Sequence, residues 1–276
     1  MKPVSIPEIS LFGMKIHRVT LQESVGTLMG WMSDQSQPCR FVVTPNLDHA
    51  VQIQSSHSFR EAYTSASLVV ADGWPLVSAS RLFSNPLPER VAGSDLVPAL
   101  FDGMNEAGES RTVFLLGAAP GVAEMAAKRI QKQWPSVTVC GTDSPPIGFE
   151  KNDEECQRII RKINQCNPDL LVVGFGAPKQ ELWLHHYHRD LSARVAIAGG
   201  ATIDFLAGRQ IRAPRWMQKL KLEWSHRLLT NPRRLTGRYI RNACRLPLLV
   251  YRENAARRRQ PQADSELSLT QSFQGR

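Results

Sequence analysis

Three short patterns that often mark ligand sites are missing from this 276-residue sequence. There is no Asp-X-Asp triplet, a frequent carboxylate arrangement for holding Mg²⁺ or Mn²⁺ beside a diphosphate. The five cysteines are widely spaced and include no Cys-X-X-Cys pair, which argues against a zinc site or a disulfide framework. The complete Gly-X-Gly-X-X-Gly dinucleotide motif is also absent. His185, His186 and His188 lie too close along one predicted helix to share a zinc ion without partners elsewhere, so we predict no metal and no cofactor.

Long apolar runs are missing as well. No stretch approaches the roughly 18 to 20 apolar residues that cross a bilayer. The first residues, MKPVSIPEIS, contain no long apolar segment typical of a signal peptide. The sequence therefore predicts a cytoplasmic protein.

The charge is distributed unevenly along the chain. Residues 207–260 contain 15 Lys or Arg against 2 acidic residues, whereas the remainder carries 19 basic and 23 acidic residues. A basic segment of this kind usually meets phosphate in nucleic acid, anionic lipid or a diphosphate. Apolar residues interleaved with the charges, namely Trp216, Trp224, Leu228, Leu229 and the run LPLLVY, favour an anionic membrane surface. A simple solvated charged face is the alternative.

Apolar strand-like stretches alternate with helical ones through most of the chain. Examples are RFVVTPNLDHAVQIQ, TVFLLGAAPGVAEMAAKRI and DLLVVGFGAPKQELWLHHY. This alternation predicts an α/β fold, with a Rossmann-like, mainly parallel sheet covered by helices on both faces. We predict a Rossmann-like domain over 1–207, a basic helical membrane-docking appendage over 208–259 and a disordered tail over 260–276.

Polar or glycine residues follow each predicted strand. In a parallel sheet these positions meet at the carboxyl edge, where ligands bind. They are Thr44-Pro45-Asn46, Asp72-Gly73, the turn from Gly117 to Gly121, residues 174–180 and Gly199-Gly200. Gly117, Gly121 and Lys179 are thus candidates for substrate binding.

Each candidate also has a simpler explanation. The Gly117–Gly121 turn could be only a tight strand-to-helix connection, Asp72 a plain turn residue, and Asn46 a local hydrogen-bonding residue at a strand end. Glu181 has an ordinary role in the first turn of a helix, where a carboxylate interacts favourably with the helix dipole.

Several stretches, taken together and in order, resemble the WecG/TagA/CpsF family of bacterial glycosyltransferases, glycosyltransferase family 26. The resemblance covers roughly residues 11–239. The matching segments are VVTPNLDHAV, LVVADGWPLV, ERVAGSDLVP, FLLGAAPGVAE, VVGFGAPKQELW, AIAGGATIDFLAG and RAPRWMQKLKLEWSHRLLTNPRRLTGRY.

The resemblance implies an inverting, metal-independent transfer of a sugar from a UDP-sugar to a saccharide on a polyprenyl diphosphate, in bacterial cell-surface polysaccharide synthesis. The implied partners are the UDP-sugar, the lipid-linked acceptor and the anionic inner face of the plasma membrane, with no nucleic acid. A donor of the N-acetylmannosamine type, or a related hexose or uronate, is expected. The acceptor sugar, the linkage and a homo-oligomeric state are left open.

The resemblance also implies roles for individual residues. Asp72 matches the family's general base, which takes the proton of the acceptor hydroxyl; such a base contributes roughly 10² to 10⁴ in rate. Thr44, Gln180 and Arg90 match further catalytic positions. The matched substrate-binding positions are Asn46, Asp204 near the nucleotide, and Arg227 and Arg234 in the appendage. A third appendage arginine is replaced by Gly237, with Arg238 beside it.

Two other functions would account for the α/β pattern or for the basic segment. A nucleotide-dependent oxidoreductase on the same sheet predicts the complete glycine motif that is absent here. A nucleic-acid-binding protein using the basic segment predicts tight, salt-dependent binding by 207–260 alone. Neither explains the ordered motifs.

Overall fold

The computed structural model describes residues 6–273, apart from 35, 84–85, 211–212, 215, 218–221 and 231. Within its helices, the side chains of 227, 234 and 259–273 also lie outside the described part.

The strands are short and mostly buried. A small antiparallel pair precedes the main sheet and consists of β1 (Glu8–Leu11) and β2 (Met14–His17). The main sheet contains β3 (Arg40–Val43), β4 (Leu68–Val69), β5 (Arg111–Gly117), β6 (Val137–Asp143), β7 (Leu170–Gly174) and β8 (Val195–Ala198).

Helices connect these strands and then continue past the sheet. Those between strands are α1 (Leu21–Ser33), α2 (Leu47–Gln52), α3 (His57–Ser65), α4 (Trp74–Ser80), α5 (Gly93–Glu106), α6 (Val122–Gln133), α7 (Asp153–Cys166) and α8 (Lys179–Tyr187). After the last strand come α9 (Thr202–Leu206), α10 (Glu223–Thr230) and α11 (Pro232–Phe273). Two short 3₁₀ turns, Phe149–Lys151 and His188–Asp190, flank α7 and α8.

The six-stranded sheet is entirely parallel, with strand order β4-β3-β8-β7-β5-β6. The chain moves from β5 outward to β6 but returns from β7 toward β8, so the two connections after neighbouring strands leave in opposite directions. Such a reversal opens a crevice at the carboxyl edge of a parallel sheet.

Two apolar clusters cover the two faces of the sheet. One joins the sheet to α2, α3, α7 and α8 through residues such as Phe59, Ile159 and Leu184. The other joins it to α1, α5, α6 and α9 through residues such as Phe101 and Ile130. The α/β class and the helices on both faces are therefore as the sequence predicted.

Local sequence signals explain where several helices begin. Thr20 and Glu23 form a complete capping box at the start of α1, and Asn46 caps α2 through its side chain. Pro232 is the first residue of α11, a position where the missing N–H of proline interrupts no helical hydrogen bond. Helix α5 begins at Gly93.

The basic appendage packs against the Rossmann-like body. In α11, Leu249 is buried in the body's core, and Leu246 and Val250 pack beside it. Glu253 accepts a hydrogen bond from the backbone N–H of Phe12, and Arg257 donates to the carbonyl of Ser10. The LPLLVY run is therefore divided, because part of it is core and part of it faces outward.

The predicted boundaries between the Rossmann-like domain, the appendage and the tail stay predictions. The backbone of α11 continues to Phe273, and the side chains of the segment 260–276 that was predicted to be disordered lie outside the described residues. Within the described chain, no helix combines the length and the apolar character that crossing a membrane requires.

Candidate active site

Backbone-to-backbone contacts between glycines form the floor of the carboxyl edge. A Cβ on Gly117 would lie 2.8 Å from the carbonyl of Gly174, and one on Gly174 would lie 2.9 Å from the carbonyl of Gly200. Gly93, at the start of α5, approaches Gly199 in the same way. The chain segments at the ends of β5, β7 and β8 therefore touch directly, and side chains at these glycines would prevent this close approach.

Thr44 and Asn46 follow β3 and are both used within the fold. The Thr44 hydroxyl donates to the carbonyl of Ala198, 3.1 Å away, and so ties the end of β3 to the end of β8. The Asn46 side-chain oxygen accepts from the backbone N–H of Asp48 as the cap of α2. The local role considered for Asn46 is therefore present, whereas its substrate role stays a prediction.

Asp72 lies at the carboxyl edge of β4. Its backbone N–H donates to the carbonyl of Pro45, and the N–H of Val91 donates to the carbonyl of Ala71, at 2.7 and 2.8 Å. These two bonds align three chain segments and bring Arg90 beside Asp72. The Asp72 side chain keeps 22% of its surface exposed at this edge.

Arg90 is surrounded by three carboxylates. Its guanidinium lies 2.6 Å from Asp95 of α5, 3.5 Å from Asp72 and 3.5 Å from Glu223 of α10. The Arg90 side chain is only 12% exposed. Residues from the body and from the appendage thus share one cation at the predicted site.

Gln180 is buried and connects two loops. Its amide oxygen accepts from the backbone N–H groups of Gly176 and Gly200, at 3.2 and 3.1 Å. Its amide nitrogen donates to Glu181, at 2.9 Å. In this arrangement Gln180 holds the loops after β7 and β8 together, and its predicted catalytic role stays a prediction.

Three buried titratable side chains lie behind this edge. Burial raises the pKa of Glu181 to about 7, and its oxygen Oε2 has no hydrogen-bond partner among the described residues. The Tyr63 hydroxyl lies 2.8 Å from Nδ1 of His49. Burial, followed by the charges of Glu181 and Asp72, raises the pKa of Tyr63, and burial lowers that of His49 to about 4.

The remaining candidates in the body occupy other parts of the same edge. Gly117 and Gly121 both have positive φ, and Gly121 caps α6. Lys179, the first residue of α8, forms an ion pair with Glu150 at 2.7 Å. Asp204 lies in α9, where its carbonyl accepts the backbone N–H of Arg209.

The structure describes the side chains of only some of the appendage arginines. The side chains of Arg227 and Arg234 lie outside the described residues, so their predicted phosphate contacts remain predictions. Arg238 lies 3.5 Å from Asp48, and Arg241 lies 2.9 Å from the same carboxylate at the N-terminal end of α2. Both Arg238 and Arg241 therefore contact the body.

Sequence reasoning did not assign roles to Glu223, Asp95 and Asp48, each of which pairs with an arginine here. Glu223 carried a usable signal, because it is one of only two acids among the basic residues of 207–260. Nothing in the local pattern identified its partner, which is distant in sequence.

Among the described residues, no three or more His, Cys, Asp or Glu side chains are grouped to hold a metal ion. The metal-independence of the reaction stays a prediction.

A family model and two named proteins match the sequence of this chain. The model of the glycosyl transferase WecG/TagA/CpsF family matches residues 9–260, which include the appendage. A Bacillus spizizenii protein is 31% identical over 194 residues, covering 70% of this chain and 72% of that protein. A Staphylococcus aureus protein is 27% identical over 252 residues, covering 91% and 94%. Both are named N-acetylglucosaminyldiphosphoundecaprenol N-acetyl-β-D-mannosaminyltransferase.

Proposed function

Because this chain belongs to the WecG/TagA/CpsF family of glycosyltransferases, we propose that it transfers a sugar from a UDP-sugar to a saccharide carried on a polyprenyl diphosphate. The donor is of the N-acetylmannosamine type or a related hexose or uronate. The names of the two relatives, which specify a mannosaminyl group and a lipid-linked acceptor, support this choice. The product contributes to a bacterial cell-surface polysaccharide.

The observation that carries the proposal is the partly exposed carboxylate of Asp72, 3.5 Å from Arg90 at the carboxyl edge of the sheet. The acceptor hydroxyl attacks the anomeric carbon of the donor while its proton passes to Asp72. The bond from the anomeric carbon to the diphosphate oxygen breaks, and UDP leaves with the electron pair. A single displacement inverts the configuration, so an α-linked donor yields the β linkage that the relatives' names contain.

Cationic side chains offset the charge that develops on UDP. Each charge-assisted hydrogen bond to phosphate contributes roughly 1.5 to 3 kcal/mol. Arg90 is the described candidate nearest Asp72, and the predicted contributions of Arg227 and Arg234 add to it. This arrangement needs no metal ion, in keeping with the proposed metal-independent mechanism.

The proposed place of action is the cytoplasmic face of the plasma membrane, where the acceptor's lipid is anchored. The exposed apolar residues of the appendage support this, since Trp216, Trp224, Leu229, Ile240 and Tyr251 are all at least half exposed beside basic residues.

The proposal is tested with a panel of UDP-sugars, membrane extract as the source of acceptor, and the variant Asp72→Asn. We expect Asp72→Asn to lower kcat by about 10² to 10⁴, because the proton acceptor is lost. UDP binding, measured by calorimetry, should be kept, because removing a negative charge near Arg90 does not repel the diphosphate.

Asp95→Asn is the matched comparison, since it removes a carboxylate from the same arginine without removing the base. It should affect the KM for the donor more than kcat. Equal losses of kcat in both variants would refute the base assignment, and a wild-type protein inactive with every UDP-sugar would refute the proposed function.

A further inference from the structure

Glu181 is more deeply buried than its place in the first turn of α8 requires. A carboxylate interacts with the helix dipole equally well at the surface, as Glu154 does in the first turn of α7. Glu181 instead has no exposed surface. Burying a carboxyl group costs free energy, so this position calls for another explanation.

The hydrogen bonds of Glu181 lead directly to the floor of the proposed site. Its Oε1 accepts from the amide nitrogen of Gln180, whose amide oxygen accepts from Gly176 and Gly200. Rotating the Gln180 amide by half a turn would point N–H donors at two backbone N–H donors. The acceptor Oε1 of Glu181 stabilises the observed orientation, because it receives the nitrogen end of the amide.

We propose that Glu181 is a positioning residue: it fixes the orientation of the Gln180 amide and thereby holds together the loops that follow β7 and β8. The inference rests on the proposed function only for what these loops hold, namely the UDP-sugar donor.

The remaining oxygen of Glu181 indicates which protonation state does this. Oε2 lies in a buried site without a partner among the described residues, and the raised pKa keeps much of the group neutral near pH 7. A neutral acid still offers Oε1 as an acceptor, so the contact with Gln180 does not depend on a charge. Glutamine at this position offers the same acceptor.

The test compares Glu181→Met, which keeps the volume but removes the acceptor, with Glu181→Gln, which keeps it. Amide hydrogen exchange at Gly176 and Gly200 should be about tenfold faster in Glu181→Met and near the wild-type rate in Glu181→Gln. The KM for the donor should rise about tenfold in Glu181→Met with a smaller change in kcat, and Glu181→Gln should recover most of this loss.

Two further comparisons separate positioning from general stability. Glu154→Met makes the same chemical change at an exposed position in the first turn of α7 and should alter neither exchange nor KM. Gln180→Met removes the amide that connects Glu181 to Gly176 and Gly200. Adding Glu181→Met to Gln180→Met should therefore change exchange and KM no further than Gln180→Met does alone.

The outcomes are distinct. If Glu181→Met behaves like Glu154→Met in both measurements, the inference is wrong. If Glu181→Met does not fold, unchanged exchange at Gly200 in Gln180→Met overturns it equally. If the exchange rates of the variants change as expected but the wild-type protein uses no UDP-sugar, the proposed function is refuted and the role of Glu181 still holds.

Discussion

At the scale of single residues, Arg90 is shared by carboxylates from three parts of the chain. Asp72, Asp95 and Glu223 each lie within 3.5 Å of its guanidinium. A diphosphate that binds Arg90 therefore competes with these carboxylates for the same cation. Glu223 is the one that belongs to the appendage, so the position of α10 bears directly on how Arg90 meets phosphate.

The raised pKa of Glu181 predicts a change of stability with pH. The native state holds this proton up to about pH 7, whereas the unfolded chain releases it near 4.5. The contribution of Glu181 to stability therefore falls as pH rises through this window, by on the order of 3 kcal/mol, and the loss is complete above the native pKa. His49 acts in the opposite direction, because the unfolded imidazole takes up a proton below about pH 6.5 while the buried one stays neutral down to about pH 4. A comparison of the wild type with Glu181→Gln therefore isolates the contribution of Glu181.

Glu181→Gln should remove this dependence. We expect the variant to gain stability over the wild type at pH 8 relative to pH 5, in urea unfolding followed by circular dichroism. Glu154→Gln serves as the control with no such gain. A constant difference between Glu181→Gln and the wild type at both pH values would contradict the expectation.

The sequence identified individual residues where the chemistry is local and not where it depends on distant contacts. The position of Asp72 at the carboxyl edge was predictable because it follows an apolar strand, and parallel strands share a carboxyl edge. The local hydrogen-bonding role of Asn46 could also be predicted from the neighbouring residues. The contact of Arg90 with Glu223 was not, because no period or motif connects the two positions.

At the scale of secondary-structure elements, α11 presents two opposite faces. Asn242, Leu246, Leu249 and Glu253 lie on the side turned to the body, whereas Ile240, Cys244, Leu248 and Tyr251 are exposed. Residues that repeat every three or four positions share a helix face, so these two sets lie about half a turn apart. Helical spacing shows which residues share a face, but spacing alone does not say which face a neighbour covers.

Asp48 should be the main polar link between α11 and the body. Its buried carboxylate accepts from Arg241 and Gln52, at 2.9 and 2.8 Å, and pairs with Arg238. We expect Asp48→Asn to lower the free energy of unfolding by about 1–2 kcal/mol, because both arginines are partly exposed and the surrounding water weakens their interaction. Amide exchange along residues 238–250 should become faster.

The exposed Asp190→Asn gives the same chemical change away from this contact and should leave both measurements unchanged. If exchange in α11 is equally slow in the two variants, apolar packing around Leu249 holds the helix and Asp48 does not.

At the scale of the whole molecule, the appendage belongs structurally to the body. Leu249 lies in the body's core, so deleting 212–276 would expose apolar surface as well as remove basic residues. Substitutions on the outward face of α11 therefore test the function of the appendage without disturbing the core. The charge imbalance of 207–260 pointed to this segment from sequence alone, but its packing depends on tertiary contacts that the imbalance does not encode.

The outward face of α11 should bind anionic membranes. It combines exposed Ile240, Leu248 and Tyr251 with neighbouring Arg245 and Arg252, an arrangement suited to inserting apolar side chains between anionic headgroups. We expect the triple change I240S, L248S and Y251S to weaken binding to phosphatidylglycerol vesicles at least about tenfold in a sedimentation assay. The melting temperature should stay near that of the wild type, because none of these side chains is in the core.

Two exposed apolar residues elsewhere provide the matched control. Ile147 and Leu82 are among the most exposed large apolar side chains of the body, and their change to serine removes similar surface away from the basic segment. The pair I147S and L82S should bind vesicles like the wild type. If this control loses binding as strongly as the triple variant, membrane contact is a general property of the surface. If neither variant loses binding, the apolar side chains on the outward face of α11 do not hold the protein on the membrane, and the prediction is wrong.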